Sequence, residues 1–251
     1  MSLFLHQVRG EQKLYWRSRE LAFFTFVFPI LIFVLLGSVY GDDVIKEEGV
    51  KGSAYLLAGM LGYGVASTAF AGLAIVFVIR RESAILKRLR GTPLPAWVYV
   101  AAVLASTLIV FAVEALALTL LARFLFDVPL PDRVGSVLVA LALGALAFAA
   151  LGLALTTAIR SAEGASAVVN AIYLPMAFLS GSFWTPHAYP KVLEVVADVL
   201  PLTYFIRLMR DVVLRHEHVW STWSDAAVVV AWGLAGLAFA VRGFRWEPRE
   251  G

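Results

Sequence analysis

The sequence predicts an all-α polytopic membrane protein with six transmembrane helices, and three observations carry that reading. The 251-residue chain is 61% hydrophobic and only 16% charged, with a mean hydropathy of +0.82, well outside the range of soluble domains. Six apolar runs are spaced along it, about Leu21–Tyr40, Ala54–Ile79, Ala96–Ala122, Val134–Ile159, Gly164–Trp184 and Asp225–Val241. Each is near or above the about 20 residues that a helix needs to cross the hydrocarbon core. The intervening charges alternate: with the N-terminus inside, the inner segments hold 13 Lys/Arg and the outer segments 8. The first outer loop also holds Asp42, Asp43, Glu47 and Glu48. This asymmetry predicts a multi-pass protein of the cell membrane with both termini cytoplasmic. No polar stretch is long enough for an aqueous domain, so residues 1–251 read as one transmembrane domain.

Taken in order, residues 1–20 interleave Leu3, Phe4, Leu5, Val8, Leu14, Tyr15 and Trp16 with Arg9, Lys13, Arg17 and Arg19. That mixture predicts a helix lying in the inner membrane interface. The apolar run that follows has spanning length, longer than a secretory signal core, and reads as an uncleaved first span. Pro29 and, in the fifth span, Pro175 each remove a backbone donor and predict a kink or local opening. Between spans two and three, residues 80–95 carry five Lys/Arg and form a tight cytoplasmic turn. There Ile85, Leu86 and Leu89 fall at helical spacing, giving an apolar stripe beside the basic residues Lys87, Arg88 and Arg90. A turn needed only for orientation does not need that stripe, so it predicts a docking surface.

In the third span Glu114 is the one acidic residue well inside a membrane run. An intramembrane carboxylate is costly. It either lines a path or fixes helix packing, with Asn170 or a hydroxyl as its partner. Ala140, Gly144, Gly152 and Thr156 lie four or eight apart in the fourth span and form a small-residue face for close helix contact. Residues 185–224 differ from the other loops. Two amphipathic runs there, Val192–Leu200 and Leu202–Leu214, are each preceded by proline and predict two short re-entrant or interfacial helices capping the outer side. His216-Glu217-His218 reads as a solvated cluster, because no third metal ligand accompanies it. The chain has no cysteine, which removes disulfides, thiol nucleophiles and thiolate metal sites. A net charge of +3 spread over loops gives no reason to expect a nucleic-acid partner.

Two stretches, in this order of elements, carry a family resemblance. Leu86-Lys87-Arg88-Leu89 and Thr92-Pro93-Leu94 resemble the coupling-helix region of the membrane subunit of type 2 ABC exporters, drug- and lipid-export branch. Ala84-Ile85 stands where that family commonly has Gly-Thr. Phe178-Leu179-Ser180-Gly181-Ser182-Phe183, followed by Leu200-Pro201-Leu202-Thr203-Tyr204, is similar to the family's signature after its fifth helix. The likeness spans essentially the whole chain. It implies a permease that acts as a dimer, with itself or a similar subunit, and couples to separate ATPase subunits through Arg81, Glu82, Ile85, Leu86, Lys87, Arg88, Leu89 and Arg90.

No Gly-x-x-x-x-Gly-Lys-Ser/Thr phosphate loop occurs in the sequence. ATP and Mg would therefore bind the partner ATPase, and this chain would need no cofactor of its own. The apolar composition favours a lipophilic drug or lipid-like amphiphile as substrate, with Glu114 and Asn170 as candidate path residues. Two rival classes are an ion- or proton-coupled carrier and a non-transporting membrane scaffold or enzyme. A carrier predicts several intramembrane ionisable residues and a repeat of broken helices, whereas Glu114 stands alone and the halves show no repeat. No catalytic set supports the scaffold or enzyme.

Overall fold

The structure, a computed structural model, describes residues 2–45, 49–185, 189–244 and 246–247. Glu47 and Glu48 of the acidic loop, with Pro186 and His187 of the last outer segment, lie outside the described residues. Six helices are long and apolar enough to cross a membrane. The chain opens with α1 (Leu3–Arg17), which Ser2 starts by accepting the Leu5 N–H on its hydroxyl. Then come α2 (Phe23–Tyr40), a two-strand hairpin β1 (Val44–Ile45) and β2 (Val50–Lys51), and α3 (Gly52–Glu82). The hairpin pairs Val44 with Lys51 and Ile45 with Val50, antiparallel. The short helix α4 (Ile85–Arg90) leads to α5 (Ala96–Phe126), α6 (Val134–Thr156) and α7 (Ala162–Leu179). Two further short helices, α8 (Lys191–Ala197) and α9 (Pro201–Val213), precede α10 (Trp223–Gly243). The spans α2, α3, α5, α6, α7 and α10 alternate in direction. One face of the bundle, the α1 face, therefore carries α1, α4 and the end of α10.

The ends differ from the apolar runs for local reasons. Helices α3 and α5 are 31 residues each, about 46 Å at 1.5 Å per residue. They overshoot a hydrocarbon core of about 30 Å, which lets Arg80–Glu82 continue a helix that the apolar run alone would end. At α7 the reverse holds. The span stops at Leu179 instead of Trp184, because Gly181 with φ +87 turns the chain where a side chain is disfavoured. In α2, the proline expectation takes a specific form. Residues Phe23–Val27 make a π-helical stretch just before Pro29, and the Phe28 N–H reaches back five residues to the Phe23 carbonyl. Widening the helix there accommodates a ring that would clash with the preceding turn. A second π-helical stretch, Ala66–Gly72, interrupts α3.

Helix α3 is the centre of the bundle. Its apolar window is 72% buried, against 22% for α2 and α10. Glycine sets how closely others approach it: a Cβ on Gly152 of α6 would lie 2.6 Å from the Phe70 carbonyl of α3. The small-residue face Ala140, Gly144, Gly152 and Thr156 is buried as its spacing predicts, with Gly144 closed over the Phe205 ring. On the other side of α6, Gly233 and Gly236 of α10 bring that backbone against Ala147 and Leu151.

Helix α9 is part of this core, not only a cap. Ten of its thirteen residues are buried, while α8 keeps Val192, Val195 and Val196 exposed. The charge that argued against burial is accommodated locally. The Arg210 guanidinium sits 3.8 Å from the Tyr55 ring centroid and donates to the Gly181 carbonyl at 3.0 Å.

At the α1 face a second buried cation fixes the other end of α3. Arg81 is 1% exposed. Its guanidinium donates to the carbonyls of Thr156 (2.8 Å) and Ile159 (2.6 Å) and to Glu82 Oε1 (2.7 Å). Terminal helix carbonyls lack donors of their own and carry the negative end of the helix dipole, so the cation caps α6 as it ties α3 to it.

Two outcomes follow from this packing. Gly152→Val should lower the thermal midpoint of the purified protein by the equivalent of about 1–3 kcal/mol of overpacking, since the atom it meets is backbone. Arg81→Ala should cost at least about 3 kcal/mol, two charge-assisted hydrogen bonds, read in the same melting experiment. Arg81→Lys should recover part of that loss.

Candidate functional site

The turn of residues 80–95 divides into a buried base and an exposed knob. Arg80 and Arg81 close α3 and reach in opposite directions. Arg80 makes two hydrogen bonds with Glu11 of α1 (2.7 and 3.1 Å) and a third to the Tyr99 hydroxyl of α5 (2.6 Å). Glu82 is half-buried on Arg81. After Ser83 the chain reverses through Ala84, which holds a left-handed conformation at φ 56. Glycine takes that conformation freely and alanine at a cost of about 1–2 kcal/mol.

Helix α4 then sets its apolar residues to two uses. Leu86 is fully buried and Leu89 half-buried, over a small cavity shared with Leu94, Tyr99 and Trp246. These two anchor the turn from below. Ile85, Lys87, Arg88 and Arg90 remain exposed. The apolar stripe read from spacing is therefore split: most of it holds the turn to the bundle, and Ile85 alone joins the basic residues on the outside. Arg81 belongs to the base and is not available at the surface.

Glu114 lies inside the subunit, 1% exposed. One oxygen accepts a hydrogen bond from Thr68 Oγ1 at 3.1 Å. The other oxygen has no hydrogen-bond partner and sits against Gly64, where a Cβ would approach it to 2.8 Å. Of the two partners expected for this carboxyl, the hydroxyl is present and Asn170 is not. Asn170 is exposed on α7 together with Ser166, Ala167 and Ala171. The structure thus separates the two candidate path residues, Glu114 in the interior and Asn170 on an outer face.

Around the opposite end, His216 and His218 point to different neighbours. His216 Nδ1 is 3.5 Å from Asp132 Oδ2, while His218 lies 3.4 Å from the Ser136 hydroxyl and stacks on Trp220. No group of three metal-ligating side chains occurs among the described residues.

Sequence reasoning did not find Glu11, Tyr99, Thr68 or Arg210 as members of these clusters. Paired arginines at the end of a long apolar run signal that at least one turns inward. A threonine in an apolar run carries no such signal.

The arrangement of six spans, a basic knob on one face and a buried polar pair at mid-depth is matched by similarity at the sequence level. Residues 3–214 match the family model described as ABC-2 type transporter. The chain is 23% identical over 234 residues to the putative transport permease YvfS of Bacillus subtilis (strain 168), covering 92% of this chain and 93% of that protein. It is 29% identical over 202 residues to nodulation protein J of Rhizobium leguminosarum bv. trifolii, covering 76% and 73%. A 26% identical match to nodulation protein J of Rhizobium meliloti (strain 1021) covers 74% and 71%. With a family model spanning most of its length, this integral membrane chain belongs to the ABC-2 type transporter family.

Proposed function

We propose that this chain is the membrane-spanning subunit of an ATP-driven exporter, working as a pair and driven by separate ABC ATPase subunits that dock on α4. The observation that carries the reading is the form of the turn. Ile85, Lys87, Arg88 and Arg90 stand out from the bundle, while Leu86, Arg80 and Arg81 bind the base to α1, α5 and α6. A surface so held transmits displacement to three elements at once. Family membership supports the transport role, and the absence of a phosphate-loop motif from the sequence supports hydrolysis in partner subunits that hold the ATP and Mg. The α1 face is then cytoplasmic, in keeping with its excess of Lys/Arg.

The second copy, or a similar subunit, sits against α7 in this reading. Ser166 and Asn170 are exposed one turn apart in a membrane span, beside Ala167 and Ala171. Polar side chains at such depth face protein or water in preference to lipid, and small ones permit close approach. The substrate passes between the two subunits along this stripe. With one amide and one hydroxyl among apolar walls, it suits a lipophilic or amphiphilic molecule and not a highly charged polymer.

Two experiments test these parts separately. Ile85→Asp with Arg88→Glu should reduce co-purification of the ABC ATPase at least about tenfold, about 1.4 kcal/mol, with melting of the membrane subunit unchanged. Retained binding and ATP turnover would remove α4 as the docking site. In the cysteine-free background, Asn170→Cys should give an oxidant-dependent covalent pair in native membranes, and Leu116→Cys on the exposed side of α5 should not. Equal behaviour of the two would move the interface away from α7.

A further inference from the structure

A cleft of about 130 Å³ lies beneath α1, enclosed by α1, the start of α2, α3 and α5. Its lining runs along α3 from Arg80 through Val76, Leu73 and Gly72 to Thr68 and Ser67. Thirteen residues of helix carry it about 20 Å inward from the α1 face. At the mouth stands the Glu11–Arg80 pair, and midway lies Ser106, whose hydroxyl and carbonyl accept hydrogen bonds from Gln12 of α1. At the inner end the walls are Thr25, Ser67 and Thr68, and the last of these donates to Glu114.

Two features set this cleft apart from an ordinary packing gap. Both π-helical stretches among the described residues converge on it: Thr25 comes from Phe23–Val27 in α2, and Ser67, Thr68 and Gly72 come from Ala66–Gly72 in α3. Such widened turns are rare and gather at functional sites. The second feature is the Glu114 carboxyl, one hydrogen bond behind the inner wall through Thr68. A cavity needs only about 10–15 Å³ per water and two to four polar partners for each. This cleft has room for several waters, and its hydroxyls, carboxylate and guanidinium supply the partners.

We propose that the cleft is a hydrated inlet from the α1 face and that Glu114 is a proton-exchange site at its inner end. The Thr68 hydroxyl oxygen takes the carboxyl proton as its own proton passes to a water molecule at Ser67 and Thr68. The O–H bond breaks, its electron pair stays on the carboxylate, and the excess proton leaves along the water file toward Glu11 and Arg80. The reverse transfer restores the acid. Of the titratable groups facing Glu114, Tyr15 comes from α1, Tyr63 from α3 and Tyr173 from α7. All are phenols, neutral near pH 7, and burial pushes Tyr15 up to about 12. The nearest charges along the cleft, Glu11 and Arg80, neutralise each other. No cation is paired with Glu114 among the described residues, so its charge follows the proton supply of one face. The free oxygen lies where a side chain at position 64 would stand, so each exchange changes the charge held between α3 and α5. This inference does not depend on ATP-driven export and is tested on the chain by itself.

The absence of cysteine makes the test direct. In sealed membrane vesicles, Ser67→Cys should react with a membrane-impermeant sulfonated thiol reagent added to the α1 face. It should do so at least about a hundredfold faster than the lipid-facing Leu116→Cys, because the reacting thiolate forms only where water reaches it. The same reagent on the opposite face should leave Ser67→Cys unmodified. Infrared spectra of the purified protein should show a carboxyl band that shifts in D2O, titrates with bulk pH and is missing from Glu114→Gln. If Ser67→Cys is as inert as Leu116→Cys, a lipid chain fills the cleft and the inlet is refuted. If the thiol is labelled but no band assigned to Glu114 responds to D2O or to pH, the exchange site is refuted. Where Glu114→Gln does not assemble, Thr68→Val should slow the deuterium shift of that band severalfold, and an unchanged rate counts against the site.

Discussion

The constraint on which the bundle depends is that a buried backbone or side-chain polar group in a membrane must find its partner within the protein. Helix α3 shows it most clearly, because nearly everything else packs on it. At one end its Tyr55 ring receives the Arg210 guanidinium, and a Cβ on Gly59 would approach the Ser182 carbonyl too closely to be accommodated. At the other end Arg81 fills the carbonyl shell of the α6 terminus. Between them, Gly62 and Gly64 let Ile206 and Glu114 reach the helix. The charge that makes α9 look unfit for burial binds it to α3, and the arginines at the start of the 80–95 turn tie α3 to α1, α5 and α6.

The two π-helical stretches answer to the same constraint. A π-turn inserts one extra residue and loosens the regular ladder, which in hydrocarbon requires a polar setting. Both stretches occur where their side faces an internal cleft lined with hydroxyls. Proline at 29 favours the first stretch. For the second, Ala66–Gly72 contains Ser67 and Thr68, with Ser67 donating to the Gly64 carbonyl three residues back, a local bond that competes with the helical ladder.

Much of this architecture is legible in the sequence, because bilayer thickness and charge exclusion act on runs of residues. Six spans, the basic turn and the proline-bounded pair of short helices all follow from composition over ten or more positions. The clusters are a different matter. That Leu86 anchors while Ile85 projects depends on the 100° step between neighbours and on the left-handed turn at Ala84, which a chirality-neutral pattern does not reveal. Glu114 announces itself as a costly residue, yet its choice of Thr68 over Asn170 is decided by how α3, α5 and α7 rotate about their axes. The burial of α9 follows from the aromatic ring and the free carbonyl that receive Arg210, both far away in the chain.

The Arg81 clamp has an evolutionary corollary. Its acceptors at the α6 end are main-chain carbonyls, which any side chain that fits the buried positions 156 and 159 would present equally well. Drift along the α6 terminus therefore leaves the joint intact, whereas the guanidinium, with its rigid fork of donors, has no substitute of equal reach. The two sides of one contact are thus under unequal selection. Any substitution that fits the space at the α6 end leaves the joint to a single arginine.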